Sequence, residues 1–364
     1  MRFVVKISTN LLTKEDHSLN VPFIQQIVAQ LTQLHAAGHE PIIVTSGAVT
    51  AGRQALTLKK ENKHIPYRQV LASIGQTLLL ETYRDQFSTQ DILTGQVLLT
   101  RADFEDRDHF LSTRNTLELM LQLRVVPIIN ENDVTTFDEL KFGDNDNLSA
   151  RVASLINAEK LILLSDVDGL YDGNPKNNPE AHLIPVVEKI NDTILGLAED
   201  TKSKTTVGGM AGKLAAAKYA TEAGVTVWIA KGTTPNVVVD ILTESAHHGT
   251  RFERQFSPRE ARRKWLQTQC LSTAWIQVDA GATRALLEGG KSLLPSGVVQ
   301  VEGAFLRGDV IKIQGQNGET IGFGQINYGT EEMIKICGVQ SNEIAGILGY
   351  ALEDVVIHRD NMVV

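Results

Sequence analysis

Short β-rich runs separated by amphipathic helical stretches fill the first two thirds of the chain, and this alternation constrains the fold of its 364 residues more than any other feature. The runs are Phe3–Ile7, Pro41–Thr45, Ile92–Leu99, Val125–Ile129, Leu161–Leu164 and Val225–Ala230. Most are apolar throughout instead of at alternate positions, the pattern of strands covered on both faces. Between them, Val21–Ala37 places Phe23, Ile24, Ile27, Val28, Leu31 and Leu34 on one helical face and stops at Gly38. Tyr67–Phe87, His109–Leu123 and Met210–Ala223 behave similarly. The alternation predicts an α/β fold with a mainly parallel sheet sandwiched between helices. In such folds ligands bind beyond the carboxyl ends of the strands, so the residues that follow each strand carry the functional information.

Those residues are small, polar or glycine. Lys6-Ile7-Ser8-Thr9-Asn10 closes the first strand, Ser46-Gly47-Ala48-Val49-Thr50-Ala51-Gly52-Arg53 follows the second, and Ser165-Asp166-Val167-Asp168-Gly169-Leu170-Tyr171 follows Leu161–Leu164. Beyond Val125–Ile129 comes Asn130-Glu131-Asn132-Asp133, and thirteen residues later Gly143-Asp144-Asn145-Asp146-Asn147, just before a helix over Leu148–Ile156. Either acidic, amide-rich loop alone reads as an Asx turn. Together they suit a pocket for a small zwitterion, with carboxylates for its ammonium and amides and helix-start N–H groups for its carboxylate. A further glycine turn, Val207-Gly208-Gly209-Met210-Ala211-Gly212-Lys213, opens the Met210–Ala223 helix. Glycines feeding a helix start with a lysine in its first turn suit a phosphate. It is not a Walker A loop, because Leu214 follows Lys213.

Composition narrows the class. The formal net charge of -8 argues against a general nucleic-acid binder. No apolar run approaches the ~20 residues of a membrane span, and a strand pattern at the very N-terminus leaves no room for a signal peptide. Cys270 and Cys337 lack metal-ligand spacing, which fits a reducing cytoplasm. The chain length predicts two domains.

The character changes after about Gly249. Arg251, Arg254, Arg259, Arg262, Arg263 and Lys264 crowd around Pro258, so residues 251–272 read as a basic linker. Ala274–Val278, Gly281–Leu287, Gly297–Val301, Asp309–Ile313 and Ile321–Gly324 then give short strands, one helix and glycine turns, a small, mostly β, barrel-like domain over 273–364.

VVKI at the first strand, VTSGAVTAGR, VLLTRADFEDRDHFLSTRNTL, VPIINENDV, KFGDNDNLSA, LLSDVDGLY and VGGMAGK, in this order, resemble the amino-acid kinase family. INEND with GDNDNLSA is the sharper signature, of the branch that phosphorylates glutamate. GATRALLEGGKSLLPSGV and RGDVIKI resemble a PUA domain, known from RNA-modifying enzymes. The first resemblance implies an amino-acid kinase domain over 1–250. It also implies ATP-dependent phosphorylation of the γ-carboxylate of L-glutamate to L-glutamyl 5-phosphate and ADP, the first step of proline biosynthesis. A carboxylate is already an anionic nucleophile, so positioning and positive charge must do the catalysis. Lys6 and Lys213 are the implied contacts to the transferring phosphate, with Asp146 orienting them. Ser46, Gly47, Asn130, Asp133, Asp144 and Asn145 are implied for glutamate. Lys6, Ser165, Asp166 and the turn Val207, Gly208, Gly209, Met210, Ala211, Gly212, Lys213 are implied for ATP, with Mg²⁺ screening the phosphates and no protein metal ligand assigned. Proline as feedback inhibitor, a homo-oligomer and a hand-over to glutamyl phosphate reductase complete the implication.

Ser8 stands where the family has glycine, and Val207 and Gly212 stand where it has threonine, so two hydroxyls that could bond phosphate are lost. An RNA-binding protein is the competing class, but residues 272–364 hold six Lys/Arg against eleven Asp/Glu, a poor surface for a phosphate backbone. A kinase acting on aspartate, carbamate or a nucleoside monophosphate fits the two acidic loops less well. His35, His39, His247 and His248 read as surface residues, and Trp228, Trp265 and Trp275 as packing. Asp103, Asp106 and Asp108 look metal-like but resemble a family helix at a subunit contact.

Overall fold

The computed structural model describes residues 1–16, 18–57, 64–136, 145–175, 177–198, 209–257, 260, 263–264, 266–267, 270–351 and 353–364, with the backbone alone at Arg107 and Asp360. The chain divides into two compact units, Met1–Pro258 and Arg259–Val364.

The strands of the first unit are β1 (Arg2–Ile7), β2 (Glu40–Val44), β3 (Thr94–Leu99), β4 (Val126–Glu131), β5 (Lys160–Ser165), β6 (Val186–Val187), β7 (Thr226–Lys231) and β8 (Thr250–Phe252). They form one sheet in the order β3-β4-β2-β1-β5-β7-β8-β6. Neighbours from β3 through β7 pair in parallel, while β8 runs antiparallel to β7 and carries β6 beside it. Both faces are apolar because both are covered. Val4, Ile42, Leu161 and Leu163 point into one core, and Phe3, Val5, Ile43, Ile162 and Leu164 into the other. Residues one apart on a strand face opposite ways, so continuous apolar runs are what a doubly covered sheet requires.

The helices of this unit are α1 (Thr9–Leu12), α2 (Val21–Ala36), α3 (Ala48–Ala55), α4 (Ile65–Ser88), α5 (Ala102–Glu105), α6 (Arg107–Gln122), α7 (Asn145–Leu155), α8 (Asp192–Gly196), α9 (Met210–Glu222) and α10 (Val237–Thr243). Gly38 and Gly224 follow α2 and α9 at φ 88° and 84°, the left-handed stop expected there. Between β2 and α3 the chain turns at Gly47, whose φ of 94° no other residue adopts without strain. The α3–α4 crossing is closed by glycine: a Cβ on Gly52 would stand 1.9 Å from Leu71 O.

Several expected boundaries move. Asn130 and Glu131 are the last residues of β4, and Asn145 and Asp146 open α7, so half of the two acidic loops is regular structure. The segment after β2 is helical from Ala48, and Val237–Thr243 adds a short helix that too few turns of periodicity revealed. The basic stretch begins inside β8, where Arg251 pairs with Trp228 and Val186.

In the second unit, β9 (Cys270–Val278), β10 (Val298–Glu302), β11 (Val310–Gln314), β12 (Thr320–Gln325) and β13 (Met362–Val363) form a sheet in the order β10-β9-β11-β12-β13. Ala274, Ile276, Val278, Ile311, Ile313 and Tyr328 lie in its core. Asp279 caps the Ala280–Leu287 helix by accepting from Ala282 N at 2.6 Å. Beyond this expected helix, Thr330–Ile336 and Ile344–Leu348 are also helical, each too short to show periodicity.

Candidate active site

Parallel pairing brings the strand ends to one edge. Lys6 on the central β1 lies in register with Val44 of β2 and Leu163 of β5. Its ammonium reaches across to the first turn of α7, where Lys6 Nζ stands 2.6 Å from Asp146 Oδ1. Lys213, in the first turn of α9, donates to the other oxygen, with Nζ 2.9 Å from Asp146 Oδ2. The three groups come from three elements and all are buried, Asp146 completely. Charges withdrawn from water in this way persist only when paired. Two ammoniums thus share one carboxylate at the sheet edge, and the Asp166 carboxylate lies near enough to feel the Lys213 charge.

The neighbour of Asp146 serves a second cluster. Asn145 Nδ2 donates to Thr45 O at 2.6 Å, to Asn130 Oδ1 at 2.9 Å and to Ser46 Oγ at 3.0 Å. Asn130 Oδ1 also accepts from Glu131 N, and Asn130 Nδ2 donates to Gln76 Oε1 at 2.8 Å. Consecutive residues in a helical turn project in different directions, so one turn of α7 faces both the lysines and this amide cluster. Asp133 lies just past β4, in a turn closed by Thr135 N and Thr136 N on Asn132 O. Asp144 falls outside the described residues.

At the end of β5, Ser165 Oγ donates to Asp166 Oδ1 at 3.0 Å, and Asn10 Nδ2, from α1 just past β1, donates to Asp166 Oδ2 at 3.1 Å. Partial burial pushes the Asp166 carboxyl up, but the bonds from Ser165 and Asn10, its own N–H and the nearby Lys213 charge outweigh it, so it sits below its ordinary value. Gly209 is the N-cap of α9 with φ -66°, and a Cβ there would meet nothing within 4 Å. Among the described residues, neither backbone strain nor crowding calls for glycine at this position. Met210, Ala211 and Gly212 form its first turn, while Val207 and Gly208 lie outside the described residues. The structure thus brings together Lys6, Asp146 and Lys213, and separately Ser46, Asn130 and Asn145.

Three residues of α4 were missed by the sequence reading. Gln69, Gln76 and Tyr83 recur every seven residues on one helical face. Gln69 Nε2 donates to Val134 O at 3.0 Å, Gln76 accepts from Asn130, and the Tyr83 hydroxyl lies 3.1 Å from Thr45 Oγ1. A polar heptad inside an apolar helical stripe was the available signal.

Several other singled-out residues have structural tasks. Asp103 accepts from Thr100 N and Oγ1, and Asp106 caps α6 by accepting from His109 N at 2.9 Å. Among the described residues no group of three or more His, Cys, Asp or Glu side chains could hold a metal. His248 pairs with Asp240 at 2.7 Å, His35 bonds Arg124 O, and Trp228 packs under the Lys160 ammonium. Trp265 falls outside the described residues. Among the described residues no helix is long and apolar enough to cross a membrane.

Two lysines converging on one carboxylate at the edge of a parallel sheet are the electrostatic equipment of a phosphotransferase. The comparisons agree with this. The amino acid kinase family matches residues 1–231 and the PUA domain matches residues 274–348. The chain is 45% identical to the glutamate 5-kinase of Pasteurella multocida over 99% of its own length and 98% of that protein. It is 43% identical to the glutamate 5-kinase of Herpetosiphon aurantiacus over 100% of its own length and 98% of that protein. The chain belongs to the amino acid kinase family, with a PUA domain at its C-terminal side.

Proposed function

We infer that the chain phosphorylates the γ-carboxylate of L-glutamate from ATP, giving L-glutamyl 5-phosphate and ADP, the first step of proline biosynthesis. The observation that carries this reading is the adjacency of Asn145 and Asp146, which sets a cluster of amides against a lysine pair. A γ-carboxylate oxygen attacks the γ-phosphorus of ATP, the bond from that phosphorus to the bridging oxygen breaks, and the electron pair leaves on ADP. No proton is transferred, so no general base is needed. The obstacle is repulsion between two anions, and Lys6 and Lys213 offset it with positive charge placed before the reaction begins. Asp146 holds the two ammoniums apart and in place.

Ser46, Gly47, Asn130, Asp133, Asp144 and Asn145 form the proposed glutamate site, with Asp133 and Asp144 for the ammonium. Ser165, Asp166 and the residues from Val207 to Lys213 form the proposed ATP site. The helix start at Gly209 and the lysine in its first turn suit phosphate oxygens. Mg²⁺, in keeping with its habit of binding through substrate phosphates and one or two carboxylates, would enter with the nucleotide and screen its charge, beside Asp166. Proline carries the same carboxylate and ammonium as glutamate and would compete for this pocket. A homo-oligomer, delivery of the labile acyl phosphate to glutamyl phosphate reductase and a cytoplasmic setting complete the proposal. The two free cysteines accord with that setting.

The deciding experiment measures ADP release with glutamate, aspartate, carbamate and UMP, hydroxylamine being present to trap acyl phosphate. Glutamate-dependent ADP release with matching hydroxamate is expected. Faster turnover of another acceptor would overturn the assignment.

A further inference from the structure

The chain of amides that ends at Gln76 has a fixed polarity. Thr45 O is a carbonyl and can only accept, so Asn145 must present its Nδ2 there, and the same nitrogen donates to Asn130 Oδ1. Glu131 N also donates to Asn130 Oδ1, which leaves Asn130 Nδ2 to donate onward to Gln76 Oε1. The Gln76 oxygen is thereby spoken for, and its Nε2 is left as the free end. That nitrogen is buried, on a side chain 8% exposed, with no hydrogen-bond acceptor among the described residues. Buried donors in folded proteins are nearly always paired, so an unpaired one beside a binding pocket points to a group that arrives with the ligand.

We propose that Gln76 is a specificity-determining residue for the acceptor, its Nε2 donating to the carboxylate of glutamate that does not react. The assignment follows from order along the site and rests on the glutamate-kinase reading given above. The reacting carboxylate must lie toward Lys6, Asp146 and Lys213. Asn145 is the next residue, Asn130 bonds Asn145, and Gln76 bonds Asn130, so Gln76 ends the chain farthest in bonding from the lysines. An N–H donor cannot serve the ammonium, which itself only donates. The second carboxylate is the group left. The α3–α4 crossing at Gly52 and Gly75 holds the next residue, Gln76, close to β4 by letting the two backbones touch.

The test compares L-glutamate with 4-aminobutyrate, which keeps the reacting carboxylate and the ammonium but lacks the other carboxylate. Each is measured as substrate or as competitive inhibitor of the wild type, Gln76→Met and Gln76→Glu. Loss of one charge-assisted hydrogen bond should raise the KM for glutamate by about tenfold or more, with the KM for ATP within about twofold of the wild type. The preference for glutamate over 4-aminobutyrate should shrink by a similar factor. Gln76→Glu keeps an oxygen for Asn130 and puts a second, anionic oxygen where the donor stood, so it should lose the preference at least as far, even where Gln76→Met is too unstable to assay. An unchanged preference in Gln76→Glu, or equal losses for both acceptors, overturns the proposal and reduces Gln76 to a support for Asn130. Failure of the wild type to phosphorylate glutamate instead overturns the functional reading itself, so the two failures are distinguishable.

Discussion

Gly75 of α4 lies so close to Gly52 of α3 that a Cβ on Gly75 would stand 2.3 Å from Gly52 N and 1.8 Å from Ala48 O. The two helices meet backbone to backbone, and α3 begins directly after the turn at Gly47. Gly75→Ala should therefore force the helices apart and destabilise the fold by about 1–3 kcal/mol. Gly346→Ala, where a Cβ meets nothing, should be neutral or slightly stabilising. Urea unfolding of both variants checks this, and equal stabilities would mean the crossing has slack.

Lys213→Ala should lower kcat by about two orders of magnitude or more, the scale seen when one preorganised group facing developing charge is removed. The buried Asp146 keeps Lys6 as partner in this variant. A near-normal kcat with only a raised KM for ATP would place Lys213 in ground-state nucleotide binding.

Asp133→Asn should raise the KM for glutamate by roughly ten- to a hundred-fold, from loss of a charge-assisted bond worth ~1.5–3 kcal/mol, and leave the KM for ATP nearly unchanged. Glutarate, which lacks the ammonium, should lose less than glutamate. The measurement is kcat/KM for both acids with both enzymes. Equal losses would make Asp133 a turn residue and nothing more.

Tyr83 gives a pH dependence of stability. Complete burial pushes its phenol well above the ordinary value, and the hydrogen bond with Thr45 pulls only partly the other way. The native chain therefore keeps this proton longer than the unfolded chain, whose phenol ionises near pH ~10. The contribution of Tyr83 is fully present below pH ~10 and falls by about 1.4 kcal/mol per pH unit above it. The stability difference between the wild type and Tyr83→Phe should be constant from neutral pH to about pH 9 and then shrink. A difference that stays flat through about pH 11 would show that the phenol ionises as freely in the fold as outside it.

The parallel sheet and its helices were legible because doubly covered strands must be apolar at every position, as Leu161–Leu164 is. Lys6, Asp146 and Lys213 were grouped by the family resemblance, but their separation in sequence says nothing of which carboxylate oxygen each ammonium meets. Asn130 and Asn145 read as loop residues because short polar side chains signal turns, yet here the backbone of β4 and α7 runs through them. The α4 glutamines escaped notice for the opposite reason. Glutamine is a good helix former, and only the tertiary contact separates Gln76 from a solvated surface residue.

The first turn of α7 bonds the amide cluster with Asn145 and the lysines with Asp146, whereas Gln69 and Gln76 of α4 bond Val134 and Asn130. The two elements are therefore unequally coupled to the lysine charges. A change in α7 that suits a new acceptor also disturbs the charges every acceptor needs. With Gln76 in its proposed role, a change in α4 would alter which acceptor is held and leave the lysine charges in place. Divergence toward new carboxylic acids should thus be recorded in α4, while α7 stays nearly fixed.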